Sequence, residues 1–170
     1  MNDDVWPYAP EDGSTDTLEF FTDVLRTYSA EQRIKLRKNP RRKMDYSHLL
    51  TQEQFSQAKL KARRYGQTQT MFVPVWSNQK IFTGLGAADT VLDFQTEYVG
   101  YYEYNVSDKV IIWEDWDNYT VHDIASSTPF TITLSAPIGV DYTKAFVMPL
   151  RKAVTYTGFS FNQDSPNQTY

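Results

Sequence analysis

The run Lys109-Val110-Ile111-Ile112-Trp113, followed by Glu114-Asp115-Trp116-Asp117-Asn118 and then Tyr119-Thr120-Val121-His122-Asp123-Ile124, decides the fold class. Two β-branched and aromatic segments flank a short polar stretch, which is the pattern of adjacent antiparallel strands joined by a turn. The same pattern recurs on both sides. Val91 to Phe94 and Tyr98 to Tyr104 precede it, while Phe130 to Leu134, Ala145 to Leu150 and Val154 to Phe161 follow. Asp-Asn, Ser-Ser-Thr-Pro and Pro-Ile-Gly turns divide these segments and no helical period interrupts them, so residues 85–162 are expected to form a small antiparallel barrel or sandwich.

Working back toward the N-terminus, Thr70 to Trp76 and Lys80 to Phe82 read as two further strands separated by a Ser-Asn turn. Pro74 cannot donate to a ladder, so its strand should lie at an edge or bulge there. Gly84 and Gly86 are expected to mark a change of unit. One helix is predicted, over roughly residues 51–65: Thr51-Gln52-Glu53-Gln54 is a capping-box pattern, Phe55, Ala58, Ala62 and Tyr65 form an apolar stripe, and Gly66 is a natural stop. Its remaining faces carry Lys59, Lys61, Arg63 and Arg64.

Ahead of the helix, Glu31 to Tyr46 alternates basic and apolar residues and breaks at Asn39-Pro40. Segments 32–37 and 41–49 are expected to pair with each other as a basic hairpin. Thr17 to Leu25 is β-rich in composition and favours a strand, although a helix would also place Leu18, Phe21 and Leu25 on one face. Residues 1–15 have neither period and read as an extended arm whose aromatics, Trp6 and Tyr8, dock on something, a neighbouring subunit included. The chain is thus expected to divide into that arm, a hairpin-helix-edge-strand part over residues 16–84, the β module, and a tail from residue 163. Its class is mainly β with one α-helix.

Composition narrows the chemistry. At 170 residues without cysteine, the chain can bury a core without disulfides and has no thiolate for metal or nucleophile. No apolar run approaches the ~20 residues of a spanning helix, and an acidic N-terminal segment does not resemble a signal peptide. Synthesis in a cytoplasm is expected, which leaves the Asn-x-Ser/Thr triplets at Asn105, Asn118 and Asn167 without glycans. The formal net charge of −4 conceals an acidic, basic, acidic layout: −6 over residues 1–30, +8 over residues 31–65 and −6 over the remainder. Such a layout could bind nucleic acid through its middle and equally suits head-to-tail assembly of positive on negative surface; the overall negative balance favours the second.

Catalytic patterns are weak throughout. No Gly-x-Ser-x-Gly elbow occurs, and His48 and His122, the two histidines, are isolated in sequence and read as strand histidines with local hydrogen bonds. Glu114, Asp115 and Asp117 lack calcium-loop spacing and read as a solvated turn beside two packing tryptophans. Gly84-Leu85-Gly86 lacks the βαβ context of a dinucleotide loop. No catalytic residue, metal or cofactor is expected. The tyrosines from Tyr98 to Tyr104 suit an interface more than a sugar or base platform. The candidate interface residues are therefore Arg33, Lys35, Arg37, Arg41, Arg42, Lys59, Arg63, Arg64, Trp6 and Tyr8.

In order along the chain, Leu18-Glu19-Phe20-Phe21-Thr22-Asp23-Val24-Leu25, Glu31-Gln32-Arg33, Pro40-Arg41-Arg42, Tyr46 and Phe72-Val73-Pro74-Val75-Trp76 resemble the opening block of tail proteins from double-stranded DNA bacteriophages. Lys109 to Trp113 with Tyr119-Thr120-Val121, and Val147-Met148-Pro149-Leu150-Arg151-Lys152-Ala153, extend the resemblance over residues 16–155. It implies a non-catalytic virion component near the tail tip or baseplate, a ring of identical subunits touching other tail proteins. A receptor- or glycan-binding module and a nucleic-acid-binding protein remain as alternatives.

Overall fold

The computed structural model describes residues 4–11, 15–20, 22–26, 31–35, 41–65, 70–94, 104 and 107–153. They divide into two compact units, one formed by residues 1–9 with 50–170 and the other by residues 10–49. The division differs from the expected boundary near Gly84, because the strand there does not end at the glycine.

The larger unit holds helix α1 (Gln52–Tyr65) and strands β5 (Met71–Pro74), β6 (Lys80–Leu85), β7 (Val91–Asp93), β8 (Lys109–Trp113), β9 (Tyr119–Ser127), β10 (Thr131–Leu134) and β11 (Tyr142–Ala153). The smaller holds β1 (Thr15–Glu19), β2 (Thr22–Arg26), β3 (Glu31–Lys35) and β4 (Arg41–Asp45). A single turn of 3₁₀ helix, Trp76–Asn78, separates β5 from β6 where the sequence shows its Ser-Asn turn. The expected strands Tyr98 to Tyr104, apart from Tyr104 itself, and Val154 to Phe161 lie outside the described residues.

The larger unit is one antiparallel seven-stranded sheet, ordered β5-β11-β8-β9-β10-β7 with β6 also paired to β11. Strand β11 is its spine: its first half pairs with β6 and its last four residues with β5, while β8 occupies the other edge. Because β6 runs through Gly84 at a φ of 69° and pairs from Lys80 to Leu85, the segments before and after that glycine share one sheet. Strand β9 carries the bend. Tyr119 to Asp123 pair with β8, and the residues from Ile124 onward pair with β10 across a bulge that leaves Ala125 unopposed.

The bend folds the sheet over one core. Val110 and Ile112 of β8, Ala145 and Val147 of β11, Leu92 of β7 and Ile132 and Leu134 of β10 all enter it, together with Phe94, Tyr104 and Tyr142. Tyr104 donates its hydroxyl toward the carbonyls of Asn78 and Val147, each 3.0 Å away. The sheet stays open and is no closed barrel. The outer edge of β5 is taken by the arm, where Val5 and Phe72 form a parallel bridge and Trp6 N–H donates to the Phe72 carbonyl at 2.9 Å. Pro74 thus sits on the sheet's last strand, as a residue without an N–H must.

The opposite face of the spine is buried as well, with Ile111 and Met148 directly paired and both fully enclosed. The arm lies on this face: Trp113, two residues on from Ile111, donates its indole N–H to the Pro7 carbonyl at 2.8 Å. Trp6, Tyr8, Ala58 and Met71 make a second core with Leu50, Tyr65, Val73 and Trp116 packed around it. Lys61 of α1 ties the layer together by donating to the Val5 carbonyl at 3.0 Å.

Helix α1 begins as its sequence dictates. Gln54 N–H donates to Thr51 Oγ1 at 3.3 Å and Gln54 Oε1 accepts from Thr51 N–H at 2.9 Å, the reciprocal capping box. Ala58 and Ala62 of the apolar stripe are buried. Thr51→Ala is expected to cost about 1 kcal/mol of stability, read as a lowered denaturant midpoint with an unchanged slope; no change in midpoint would refute the cap.

Candidate assembly surface

The four strands of the smaller unit form two nested ladders. Strand β1 pairs with β4, from Thr15 opposite Asp45 to Glu19 opposite Arg41, and β2 pairs with β3, from Thr22 opposite Lys35 to Arg26 opposite Glu31. Among the described residues, β3 pairs with β2 and β4 with β1, and not with each other as the expected hairpin of residues 32–37 and 41–49 would have it. Charge favours the choice: β3 against β4 would set Arg33 and Lys35 beside Arg41, Arg42 and Lys43, whereas the upstream segment places Glu19 opposite Arg41 and Asp16 diagonal to Arg42. Arg42 forks onto the Asp16 carboxylate, with Nε 2.9 Å from Oδ1 and 3.1 Å from Oδ2. Glu31 likewise accepts from Arg33 Nε at 2.7 Å and lies 3.7 Å from Arg26 Nε.

The register slips between the ladders. Residues 20 and 21 separate β1 from β2, while residues 36–40 separate β3 from β4, so the returning chain carries three more residues than the outgoing one. Beyond β4 the pairing continues to Glu11, whose N–H donates to the Ser47 carbonyl at 2.8 Å. Tyr46 and His48 set their rings 6.1 Å apart there, so His48 is accounted for by its local setting.

Strand β1 is left uncovered, whereas the middle of β4 is partly buried. All five residues of β1 are exposed, Leu18 at 55%, and Phe20 just after it is 70% exposed. A two-stranded ladder is only marginally stable in water by itself. Leu18 and Phe20 carry no charge, so a reading by charge passes over them. Their signal was the lack of an apolar alternation in Thr15-Asp16-Thr17-Leu18-Glu19 that could bury one face.

The predicted interface residues fall into three groups. Arg41 and Arg42 meet on β4, with Arg33 on β3; Lys35 closes β3 opposite Thr22, and Arg37 lies outside the described residues. Lys59, Arg63 and Arg64 belong to the other unit, where Lys59 Nζ stands 4.4 Å from the Phe55 ring centroid and Arg64 lies 5.7 Å from that of Tyr65. Trp6 and Tyr8 are spent inside their own chain, at 6% and 1% exposure, so they are core residues and no longer interface candidates. They stack among aromatics, Trp6 edge-on to Tyr8 at 5.1 Å and Tyr8 parallel to Trp116 at 6.3 Å.

The other chemical candidates have local partners. Residues 114–118 are the β8–β9 turn, closed by Glu114 and Asp115 N–H groups donating to the Asn118 carbonyl, both at 3.1 Å, and by Asn118 Nδ2 donating to Glu114 at 2.7 Å. Trp113 and Trp116 pack against the arm and remain partly exposed. Burial lowers the pKa of His122, with Asp123 pulling the other way; its Nε2 lies 2.9 Å from Thr120 Oγ1, which also accepts from the Tyr142 hydroxyl at 3.2 Å. Gly86 N–H donates to Asp89 and Ala87 N–H to Asp141, so the Gly84-Leu85-Gly86 segment caps a turn.

Among the described residues, no group of three or more His, Cys, Asp or Glu side chains is placed to hold a metal ion. No helix among them is long and apolar enough to cross a membrane. The chain matches no family model and no curated protein.

Proposed function

We propose that the chain is a non-enzymatic structural subunit of a bacteriophage tail, at the tail tip or baseplate, which assembles into an oligomeric ring from copies of itself. The order of the motifs from Leu18 to Ala153 supports the tail assignment. What carries the assembly reading is the smaller unit, a two-stranded ribbon that leaves Leu18 and Phe20 in water and makes a separate compact body. Such a ribbon gains its stability by packing against something else. A structural subunit needs that arrangement, since a sheet with an internal core can remain rigid while a ribbon makes the contact.

Charge sets the conditions of assembly. The ribbon holds seven acidic and eight basic residues over positions 10–49, so its contacts are polar and screened by salt. In native mass spectrometry the purified chain is expected to form oligomers at low ionic strength that dissociate as ionic strength rises. Monomers at every ionic strength would overturn the self-assembly, and a virion map with the protein outside the tail would overturn its location.

A further inference from the structure

A row of large side chains crosses one face of the larger sheet. Ile81 of β6 stands opposite Phe146 of β11, Phe146 opposite Trp113 of β8, and Trp113 opposite Tyr119 of β9, so all four project to the same side. The Phe146 and Trp113 rings lie 5.8 Å apart, and Trp76 meets Trp113 edge-on at 5.2 Å. The next pair on this face, Met148 and Ile111, is fully buried, whereas Phe146, Trp113 and Tyr119 are partly exposed and Ile81 is 53% exposed. The apolar layer therefore extends past what its own chain covers. Charge runs along the row. Lys144, exposed and paired with Thr83 beside Phe146 and Ile81, makes its β6 end basic, while Glu114, Asp115 and Asp117, exposed in the β8–β9 turn, make the other end acidic.

We propose that this row receives the ribbon of the next copy of the chain, with Leu18 and Phe20 lying on Ile81 and Phe146. The contact rests on the self-assembly proposed above and names its two surfaces. A ribbon on a ribbon is two-fold and stops at a dimer, whereas a ribbon on the next copy's sheet is heterologous and repeats, as a ring requires. Charge fixes the direction. The outgoing limb of the ribbon, residues 10–30, has five acidic residues and one basic, and the returning limb, residues 31–43, has one acidic and seven basic. The acidic limb, which carries Leu18 and Phe20, suits the Lys144 end of the row, and the basic limb suits the carboxylates of the β8–β9 turn. From residue 110 to residue 143 the chain has five acidic residues and no lysine or arginine to oppose that limb. This attraction depends on net charge, so the ion pairs inside the ribbon, Arg42 with Asp16 and Arg33 with Glu31, do not remove it.

Single cysteines in the otherwise cysteine-free, full-length chain test the contact. Thr17 is exposed next to Leu18, and Thr83 is exposed two residues from Ile81 on the same strand. Thr17→Cys chains mixed with Thr83→Cys chains at low ionic strength are expected to form covalent dimers with a short bismaleimide, which neither variant forms alone. Dimers from Thr17→Cys alone would set ribbon on ribbon, and dimers from Thr83→Cys alone would set sheet on sheet; either result, or no dimers from the mixture, would overturn the proposal. Native mass spectrometry of the mixture before cross-linking separates the two levels. Oligomers that give no cross-link sink this contact alone, whereas monomers at every ionic strength sink the self-assembly beneath it. A charge placed in the row gives an independent reading: Ile81→Glu is expected to weaken association roughly tenfold or more, while Val91→Glu, at a site 49% exposed on β7, leaves it unchanged. Wild-type association of the Ile81 variant, or equal losses in both, would overturn the row as the docking site.

Discussion

Tyr8→Ala is expected to destabilise the larger unit by about 3–5 kcal/mol, as for a buried aromatic truncated in a close-packed core, whereas Tyr8→Phe should raise stability by about 1 kcal/mol. The contrast follows from what the two changes remove. Alanine empties a site enclosed by Trp6, Ala58, Met71 and Trp116 and frees the arm from the sheet. Phenylalanine keeps the ring and removes a buried hydroxyl that has no hydrogen-bond partner among the described residues. Urea titrations of the three chains decide it: a Tyr8→Phe midpoint well below wild type would mean that the hydroxyl is satisfied and the packing account is wrong.

The same residue predicts the alkaline limit of the fold. Burial pushes the Tyr8 phenol up to about 12 from an ordinary 10.0, which favours its neutral form in the folded chain. For an acid with a raised folded pKa, the stability contribution is complete below pH 10 and falls as pH rises from there toward 12, because the unfolded chain ionises first. The loss approaches about 2–3 kcal/mol. It should appear as the difference between wild type and Tyr8→Phe, since the other tyrosines are common to both. Parallel stability curves between pH 9 and 12 would show that the Tyr8 hydroxyl reaches solvent.

Local order was legible in the sequence; partners were not. Thr51 and Gln54 specify a cap within four residues, so the start of α1 could be read directly. The strands around Val110, Ile132 and Val147 follow from β-rich runs between turns. Pairing depends on residues far away, and the basic segment shows why. Residues 31–35 and 41–45 look like a hairpin when read alone, but Asp16 and Glu19 lie 26 and 22 residues upstream of the arginines Arg42 and Arg41 that they meet. A charge count by segment revealed the acidic and basic blocks without revealing that they would be adjacent strands of one ribbon.

The arm shows the complementary limit. Trp6 and Tyr8 demand burial, and that demand is non-directional; composition therefore could not distinguish a neighbour's surface from the chain's own sheet. The deciding contacts are specific polar ones, Trp113 to the Pro7 carbonyl and Lys61 to the Val5 carbonyl, each across more than fifty residues. With Trp6 and Tyr8 in the core, the proposed contact surface is the ribbon. Its exposed apolar members, Leu18 and Phe20, carry no charge and so escape a reading by charge.

Stability and assembly are therefore expected to respond to different residues. Ile112 is fully buried, pairs with Val147 on one side and Thr120 on the other, and enters the core enclosed by the folded sheet. Ile112→Ala should cost about 2–5 kcal/mol, a large share of the roughly 5–15 kcal/mol that a domain possesses, yet leave the ribbon chemically intact. Leu18→Ser with Phe20→Ser should do the reverse. Both side chains are largely exposed, so thermal unfolding of the monomer should move by no more than about 0.5 kcal/mol per site. Covering them in an assembly is worth about 1.5–3 kcal/mol each at full burial, and their loss should weaken association roughly tenfold or more. Calorimetry at dilute concentration and sedimentation across a concentration series separate the two effects. If the serine pair lowered the monomer's unfolding temperature as far as Ile112→Ala, Leu18 and Phe20 would belong to the chain's own core and the ribbon would not be its contact surface.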